Sequence, residues 1–426
     1  MTRLMNDPWW LVLIKVVGLF VVLLVWTIFN VWYERRLVGK MQHRKGPIMN
    51  GPLGLGQALA DGMKLLIKED FMPRAVDRVL FTLAPLIAGT AAFSAWAMIP
   101  FSGEVEIFGV TTRLQLTDFP VGVLMILAIT SVGIYGFVLA GWSSNSPYSL
   151  LGGLRSSAQM ISYEISMGLS FVAVFMFTNH MSTFEIVEAQ RNAFTILGFD
   201  FGWQTWNWLI LLPSFCIYVI SMVGETNRAP FDLPEAESEL VSGYITEYSG
   251  FRYATYFLSE YINMATVSAI ATTLFMGGYL PIWPFNAIAF LNNPWFGPIW
   301  FAIKVQIFIS IFVWLRGTLP RFRYDQFMSL GWKGLIPISL VWIAVFATVR
   351  KLQTMAVISG TVQFVLFGIV GVLLIAVIVL ALWPEREPHQ PAREAPAFDA
   401  FAGGYPVPPM PGQQLPELSG VIKEED

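Results

Sequence analysis

Apolar residues fall in runs of about twenty along most of the chain, the length a helix needs to cross the hydrocarbon core of a bilayer. Nine such runs predict membrane spans, over about 9–32, 77–100, 119–141, 160–178, 206–223, 254–279, 297–316, 334–351 and 357–383, the eighth being the shortest. The first is too long for a signal-peptide core and continues into Trp32-Tyr33-Glu34-Arg35-Arg36 with no small-residue cleavage site, so it is expected to stay in the protein. In 53–69 the pattern becomes amphipathic: Gln57, Asp61, Lys64 and Lys68 share one face at helical spacing, opposite Leu55, Leu59, Met63 and Leu66. That predicts a helix lying in the membrane surface, either as a simple anchor or as one wall of an entrance at the bilayer edge.

Two shorter patterns add detail. Val105, Ile107, Leu114 and Leu116 alternate with polar residues around Gly109, which predicts a small β-hairpin. In the 180–205 loop, Ser182 with Glu185 forms a capping-box pattern for a short helix. From Pro384 onward, 43 residues hold nine prolines and more acids than bases, a composition that cannot bury a core. The expected organisation is therefore a membrane domain over 1–383 and a proline-rich, disordered tail over 384–426. The expected fold class is an all-α polytopic membrane protein with about nine transmembrane helices, an interfacial amphipathic helix and a small outer β-hairpin.

Composition sharpens this picture. The chain is 55% hydrophobic and 13% charged, against roughly 25% charged residues in soluble domains. A net charge of −3 makes nucleic acid an implausible partner. The single cysteine, Cys216, excludes a disulfide framework and thiolate metal or iron–sulfur sites, and His43, His180 and His389 are scattered. Lysine and arginine concentrate in the loops 33–76, 142–159, 224–253 and 316–333, whereas the N-terminus and the other four loops hold only Arg3, Arg113, Arg191, Arg350 and Lys351. The positive-inside bias places the first four on the cytoplasmic face and the N-terminus outside. All the polar constellations then fall near one face, as a single site assembled from four loops would require.

The densest constellation is 224–248, where Glu225, Asp232, Glu235, Glu237, Glu239 and Glu247 face one base, Arg228. Glu235 and Glu239 are spaced i,i+4 on any helix following Pro234, a like-charge arrangement that costs roughly 0.2–0.5 kcal/mol. Ionisable groups inside or bounding the spans are Lys15, Glu164, Glu225, Glu260 and Lys304, each costing on the order of 3 kcal/mol at a span's centre on insertion scales. Glu164, Glu225 and Glu260 come from three consecutive spans and suit a proton relay, because clustered, desolvated carboxylates exchange protons nearer neutral pH. The competing reading pairs each acid with a base or uses it as a cap; Asp232, before Pro234 and Glu235, is also a good helix N-cap. Glu34-Arg35-Arg36 and the arginines Arg316, Arg321 and Arg323 around Pro320 satisfy the positive-inside rule, hold carbonyl oxygens of a bound head group or pair with the acidic loop. No phosphate-cradling glycine loop, haem ligand set or nucleophile–base arrangement is visible, so redox chemistry would have to come from partners.

Four blocks carry a family resemblance. They are Glu34-Arg35-Arg36 with Gln42-x-Arg44-Lys45-Gly46-Pro47 and Ala60-Asp61-x-Met63-Lys64; Ser144-Asn145-Ser146 through Leu154-Arg155 to Gln159-x-Ile161-Ser162-Tyr163-Glu164; the acidic loop 224–248; and Arg316 with Pro320-Arg321-Phe322-Arg323-Tyr324-Asp325-Gln326. Over about residues 10–350 the chain resembles the H-subunit family of NADH:quinone oxidoreductase, respiratory complex I, known in mitochondria as subunit 1.

The resemblance implies a multi-pass protein of the bacterial cell membrane that joins the membrane arm to the soluble arm and lines a quinone-binding chamber. It implies chamber residues at Arg35, Gln57, Asp61, Phe257, Arg316 and Arg321. It also implies a proton relay through Asp61, Glu164, Glu225, Glu235, Glu237, Glu239 and Glu260. No cofactor is expected on this chain; quinone is the implied substrate, with NADH, FMN and iron–sulfur clusters in partner subunits. The implied partners are the soluble subunits of the quinone site, small membrane subunits and antiporter-like subunits. Two features depart from the family pattern of eight spans: the ninth run and the proline-rich tail. Two alternatives stand beside this reading, the equivalent subunit of a membrane-bound hydrogenase or formate-oxidising complex and a stand-alone proton-coupled transporter; the lack of a visible internal repeat weighs against the second.

Overall fold

The computed structural model describes residues 7–191, 193–196, 199–204, 206–232 and 240–355, together with 368, 369, 371, 372 and 376. Glu235, Glu237 and Glu239, nearly all of the expected span 357–383, and the tail 384–426 lie outside the described residues. Among those described, the α-helices are α1 (Trp9–Met41), α2 (Gln57–Ile67), α3 (Arg78–Ala95), α4 (Gly122–Ser143), α5 (Pro147–Thr178), α6 (Thr183–Ala189), α7 (Asn207–Ile210), α8 (Leu212–Glu225), α9 (Gly250–Phe275), α10 (Gly297–Thr318), α11 (Tyr324–Ser329) and α12 (Ile336–Thr354). Six stretches are long and apolar enough to cross a membrane: Trp9–Met41, Arg78–Met98, Gly122–Ser143, Pro147–Thr178, Pro294–Thr318 and Tyr324–Leu352. The protein is a multi-pass helical membrane protein.

Several helices differ in extent from their apolar runs, for identifiable reasons. The run at 9–32 continues as helix to Met41, carrying Glu34, Arg35 and Arg36 on the same rod. The helix expected over 160–178 begins at Pro147. Its added turns hold Ser149, Gly152, Gly153, Ser156 and Ser157, all buried, because this end packs against protein rather than lipid. The run at 206–223 is divided into α7 and α8 at Leu211, with Pro213 in the first turn of α8, where a residue lacking an N–H loses no helical bond. The run at 334–351 is preceded by α11 and a single π-helical stretch, Leu330–Leu335.

Close helix crossings rest on small residues, as expected where lipid tails are as apolar as leucine. A β-carbon on Gly141 would come within 3.1 Å of the Gly153 Cα and 2.6 Å of the Ser149 carbonyl oxygen, so α4 and α5 meet backbone to backbone. Around them the interior is aromatic and aliphatic, with Trp96, Phe171, Tyr218, Phe275, Phe301 and Trp342 all essentially fully buried. The expected span at 254–279 is α9, 26 residues rich in buried hydroxyls. These close on their own helix: Thr266, Ser268 and Thr272 donate to the carbonyls of Ile262, Met264 and Ser268 at 2.7–2.9 Å, which satisfies the hydroxyls where no water reaches them.

The expected hairpin forms from β1 (Glu104–Ile107) and β2 (Val110–Arg113), antiparallel with Ile107 opposite Val110. Phe108 and Gly109 both take positive φ, 48° and 81°, the two-residue turn whose twist suits a hairpin. Ser182 caps α6, its hydroxyl accepting from the Glu185 N–H. The loop that follows holds a second hairpin, β3 (Ala193–Ile196) with β4 (Phe199–Gln204), containing a bulge. Sequence reading placed only the short helix there, because the bulge interrupts the period-two pattern.

Candidate functional site

The C-terminal extension of α1 beyond its apolar run brings Glu34 into the bundle, where it is 4% exposed. Three groups converge on it. Arg228 Nη1 donates to Oε1 at 3.1 Å, the Tyr261 hydroxyl donates to Oε2 at 2.7 Å, and Arg316 Nη1 also donates to Oε1. Arg228 lies over the Tyr261 ring, 4.4 Å from its centroid, and its Nε ion-pairs with Glu260 Oε1 at 2.8 Å. Two carboxylates thus face two guanidiniums, the arrangement in which buried charge is tolerated. Glu260 is therefore held by a base, as the competing reading allowed, yet within a network rather than an isolated pair. Tyr261 was not singled out from sequence, and Glu34 and Arg228 were noted only as the head of an arginine pair and as the lone base of the acidic loop, not as members of the site. The signal was present for Glu34: Leu23, Thr27, Asn30, Val31 and Glu34 form the buried face of α1, a line in which polar groups recur toward one end.

Beside this network lie two cavities. One, about 630 Å³, is of mixed polarity and carries several charged groups, being lined by Glu34, Arg35, Arg44, Phe257, Tyr261 and Arg316 among others. The other, about 470 Å³, is mainly apolar and runs between α1, α2 and α9, lined by Val31, Leu59, Met63, Phe251, Phe257 and Leu258. Arg35 and Phe257 line both. At this boundary Arg35 Nη1 meets Asp61 Oδ2 at 2.5 Å, and Gln57 Nε2 donates to Asp61 Oδ1 at 3.1 Å. The structure thus gathers Arg35, Gln57, Asp61, Phe257 and Arg316, whereas Arg321 stands apart and pairs with Asp232 at 3.2 Å.

Partial burial acts to raise the Asp61 pKa, but the bond and charge of Arg35, with Gln57 and Lys64, outweigh it and hold the carboxyl below its ordinary value of 3.8. A depressed folded value means the Arg35–Asp61 interaction is fully present above the unfolded value and is lost only as pH falls through the folded one. In an assembled complex, ligand affinity should therefore show no Asp61-dependent change between pH 7 and about 5. Comparing KM against pH in wild type and Asp61→Asn checks this; a wild-type step in that window that the variant lacks would contradict it.

Glu164 and Glu225 form a second group. The Ser131 hydroxyl donates to Glu164 Oε1. Glu225, 5% exposed, has no protein partner for Oε2, and the charge of Glu164 bears on it. Their proximity depends on Gly224, where a β-carbon would fall 2.5 Å from the Tyr163 ring; the missing side chain lets α8 lie against α5. Tyr163 stacks on Phe327 with centroids 4.3 Å apart and donates its hydroxyl to the Phe327 carbonyl at 2.9 Å. Gln159 Nε2 ties the carbonyls of Gly224 and Phe231 together at 2.8 and 2.9 Å. The described acids therefore form one group around Glu34 and Glu260 and another around Glu164 and Glu225, with Asp61 at the cavity boundary. Glu235, Glu237 and Glu239 lie outside the described residues.

The two lysines inside spans are held locally. Lys15 bonds Asp7 Oδ2 and Thr112 Oγ1, each at 2.6 Å. Lys304, 1% exposed, donates to the carbonyls of Met276, Gly278 and Leu280 at 2.7–2.9 Å beyond the C-terminus of α9, where a helix dipole favours a cation.

Residues 14–347 match the sequence model of a family described as NADH dehydrogenase. Over 418 residues the chain is 57% identical to a Cutibacterium acnes protein named as the H subunit of NADH-quinone oxidoreductase, a match that covers 97% of this chain and 94% of the relative. It is 50% identical over 420 residues to a Streptomyces avermitilis protein of the same name, covering 97% of this chain and 90% of that relative.

Proposed function

The chain belongs to the NADH dehydrogenase family, as a membrane subunit of NADH-quinone oxidoreductase, and from that premise we propose that it forms the membrane-side wall of the quinone chamber and a carboxylate relay leading away from it. The observation that carries the reading is the pair of adjoining cavities, one apolar and one charged, with Arg35 and Phe257 on both linings. A quinone is amphipathic in the same order. Its isoprenoid tail suits the apolar cavity between α1, α2 and α9, and its carbonyl oxygens suit the guanidinium-rich one. Ligand sites of this kind, a mainly apolar cleft with a few convergent polar groups, are the usual form of small-molecule sites.

Reduction of a quinone to quinol takes up two electrons and two protons. The electrons come from partner subunits, which supply NADH oxidation, FMN and iron–sulfur clusters. This chain's own groups orient the head group and carry charge. Arg35, held by Asp61, and Arg316, held by Glu34, are planar donors suited to carbonyl oxygens. As negative charge develops on the quinone, the Glu34–Arg228–Glu260 network feels it at short range through a medium of low dielectric. The second carboxylate group, Glu225 with Glu164, receives that change and passes it toward antiporter-like subunits, which do the pumping; Asp232 and the acidic loop, Glu235, Glu237 and Glu239, extend the relay. On this reading the chamber opens on the cytoplasmic side of a bacterial cell membrane, where the basic loops collect.

The chamber is tested in the assembled complex with Leu59→Trp, which fills the apolar cavity and leaves the charged one intact. KM for a long-tailed quinone should rise on the order of tenfold, about 1.4 kcal/mol of lost binding, while a quinone with a short tail keeps its wild-type KM and kcat holds for both. Equal effects on both tail lengths, or none on either, would remove this cavity from the quinone path.

A further inference from the structure

A serine or threonine buried in a helix ordinarily turns back on a carbonyl three or four residues earlier. Ser162 and Ser170 on α5 and Thr266 and Thr273 on α9 all do so, at 2.6–3.0 Å. On α8, Ser214 accepts from the Trp342 indole at 2.8 Å. Ser221 of the same helix departs from this pattern: it is 0% exposed, yet its Oγ has no hydrogen-bond partner.

Its place on the helix gives the hydroxyl a reason to turn away. Ser221 precedes Glu225 by four residues on α8, so the two are neighbours on one helix face, with β-carbons about 5–6 Å apart. Glu225 likewise has no partner for Oε2. The other donors around the acid are already engaged. Tyr163 is bonded to the Phe327 carbonyl, Gln159 to those of Gly224 and Phe231, Thr226 to those of Met222 and Val223, and Tyr218 to that of Val267. A buried donor and a buried acceptor, both unmade, thus stand one helical turn apart. With no direct bond between them, the interval suits one buried water, which needs at least two polar partners.

A hydroxyl and a water each both donate and accept. With Glu225 ionised, Ser221 donates to the water and the water to Oε2; with Glu225 protonated, the acid donates to the water and the water to Oγ. The chain reverses with no heavy atom moving, so neither state of the acid is left unpaired. A cationic side chain in place of Ser221 would favour the ionised state alone. Acid and hydroxyl are paired directly at Glu164, where Ser131 of α4 donates to Oε1.

We propose that Ser221 is a positioning residue of the relay, its hydroxyl holding Oε2 of Glu225 through one buried water in both protonation states. The role rests on the relay of Glu164 and Glu225 put forward above. Of the titratable groups on elements packed against α8, Glu164 bears on Glu225 from α5, and Tyr163 lies against the adjoining Gly224. Glu260 and Tyr261 of α9 are engaged with Arg228 and Glu34, and Arg350 of α12, next to Lys351, bonds Asn179 past the far end of α5. The four residues of α7 include no titratable side chain.

The test uses the assembled complex in proteoliposomes. Ser221→Ala removes no bond seen in the fold, so the complex should assemble and oxidise NADH with an artificial acceptor as the wild type does. Coupled quinone reduction should fall roughly fivefold to tenfold, and its pH profile should move by about half a unit to one unit, the scale of one hydrogen bond. In a Glu225→Gln background the same substitution should add nothing, because Ser221 acts through Glu225. A wild-type rate and pH profile in Ser221→Ala beside an impaired Glu225→Gln would overturn the role of Ser221 and leave the relay standing. A further loss in the double variant, or failure of Ser221→Ala to assemble, would overturn it as well. Normal turnover and pumping in Glu225→Gln would instead sink the relay, and this role with it.

Discussion

Replacing Arg228 with methionine is expected to cost roughly 3–5 kcal/mol, the range for removing one partner of a buried ion pair, and to abolish assembly of the complex. Arg228 is the only cation seen to bridge Glu34 and Glu260 among the described residues, and its side chain is 9% exposed. Without it Glu34 keeps Arg316 and Tyr261, but Glu260 loses its paired guanidinium and remains beside Glu34 with only the charge of Arg316, bonded to Glu34, to offset the repulsion. The double variant Arg228→Met with Glu260→Gln should recover part of the assembled complex, because the orphaned charge is gone. Native electrophoresis of membrane extracts and thermal denaturation of purified complex read both outcomes. Wild-type assembly and stability in Arg228→Met would mean that these charges are solvated, and the chamber's charged wall would have to be redrawn.

The second large effect is expected from Glu225→Gln, which should leave assembly intact and reduce coupled quinone reduction on the order of a hundredfold, the low end of what a positioned proton-transfer group contributes. Glutamine keeps the shape, and Glu225 Oε2 has no protein hydrogen bond to lose, so the fold has little reason to change. NADH oxidation by an artificial acceptor that bypasses the quinone site should persist, and proton pumping in proteoliposomes should fall with quinone reduction. Normal turnover together with normal pumping would take Glu225 out of the relay.

How much of this could be read from the chain depends on range. Patterns settled within a few residues were legible: the Phe108-Gly109 turn between alternating strands, the Ser182 cap, and the amphipathic stripe from Gln57 to Lys68. Apolar runs located the helices but not their ends, because a run reports contact with lipid. The first turns of α5 are small and polar for contact with protein, and so read as loop. The network around Glu34 was not legible, since its partners lie 194, 227 and 282 residues away. An acid at the head of an arginine pair also reads as part of an ordinary basic loop, since topology follows the arginines and the acid contributes little to it. Arg228 stood out as the lone base in an acidic loop, yet only the fold reveals that it faces an acid from α1 as well as one from α9.

Lys304 has a consequence for how the far end of α9 is held. Its Nζ donates to three carbonyl oxygens beyond the far end of α9, so the loop that leaves that helix is pinned to α10 by a single buried side chain. One side chain of α10 thus closes off the end of α9, so that the two helices and the loop between them are held as one piece.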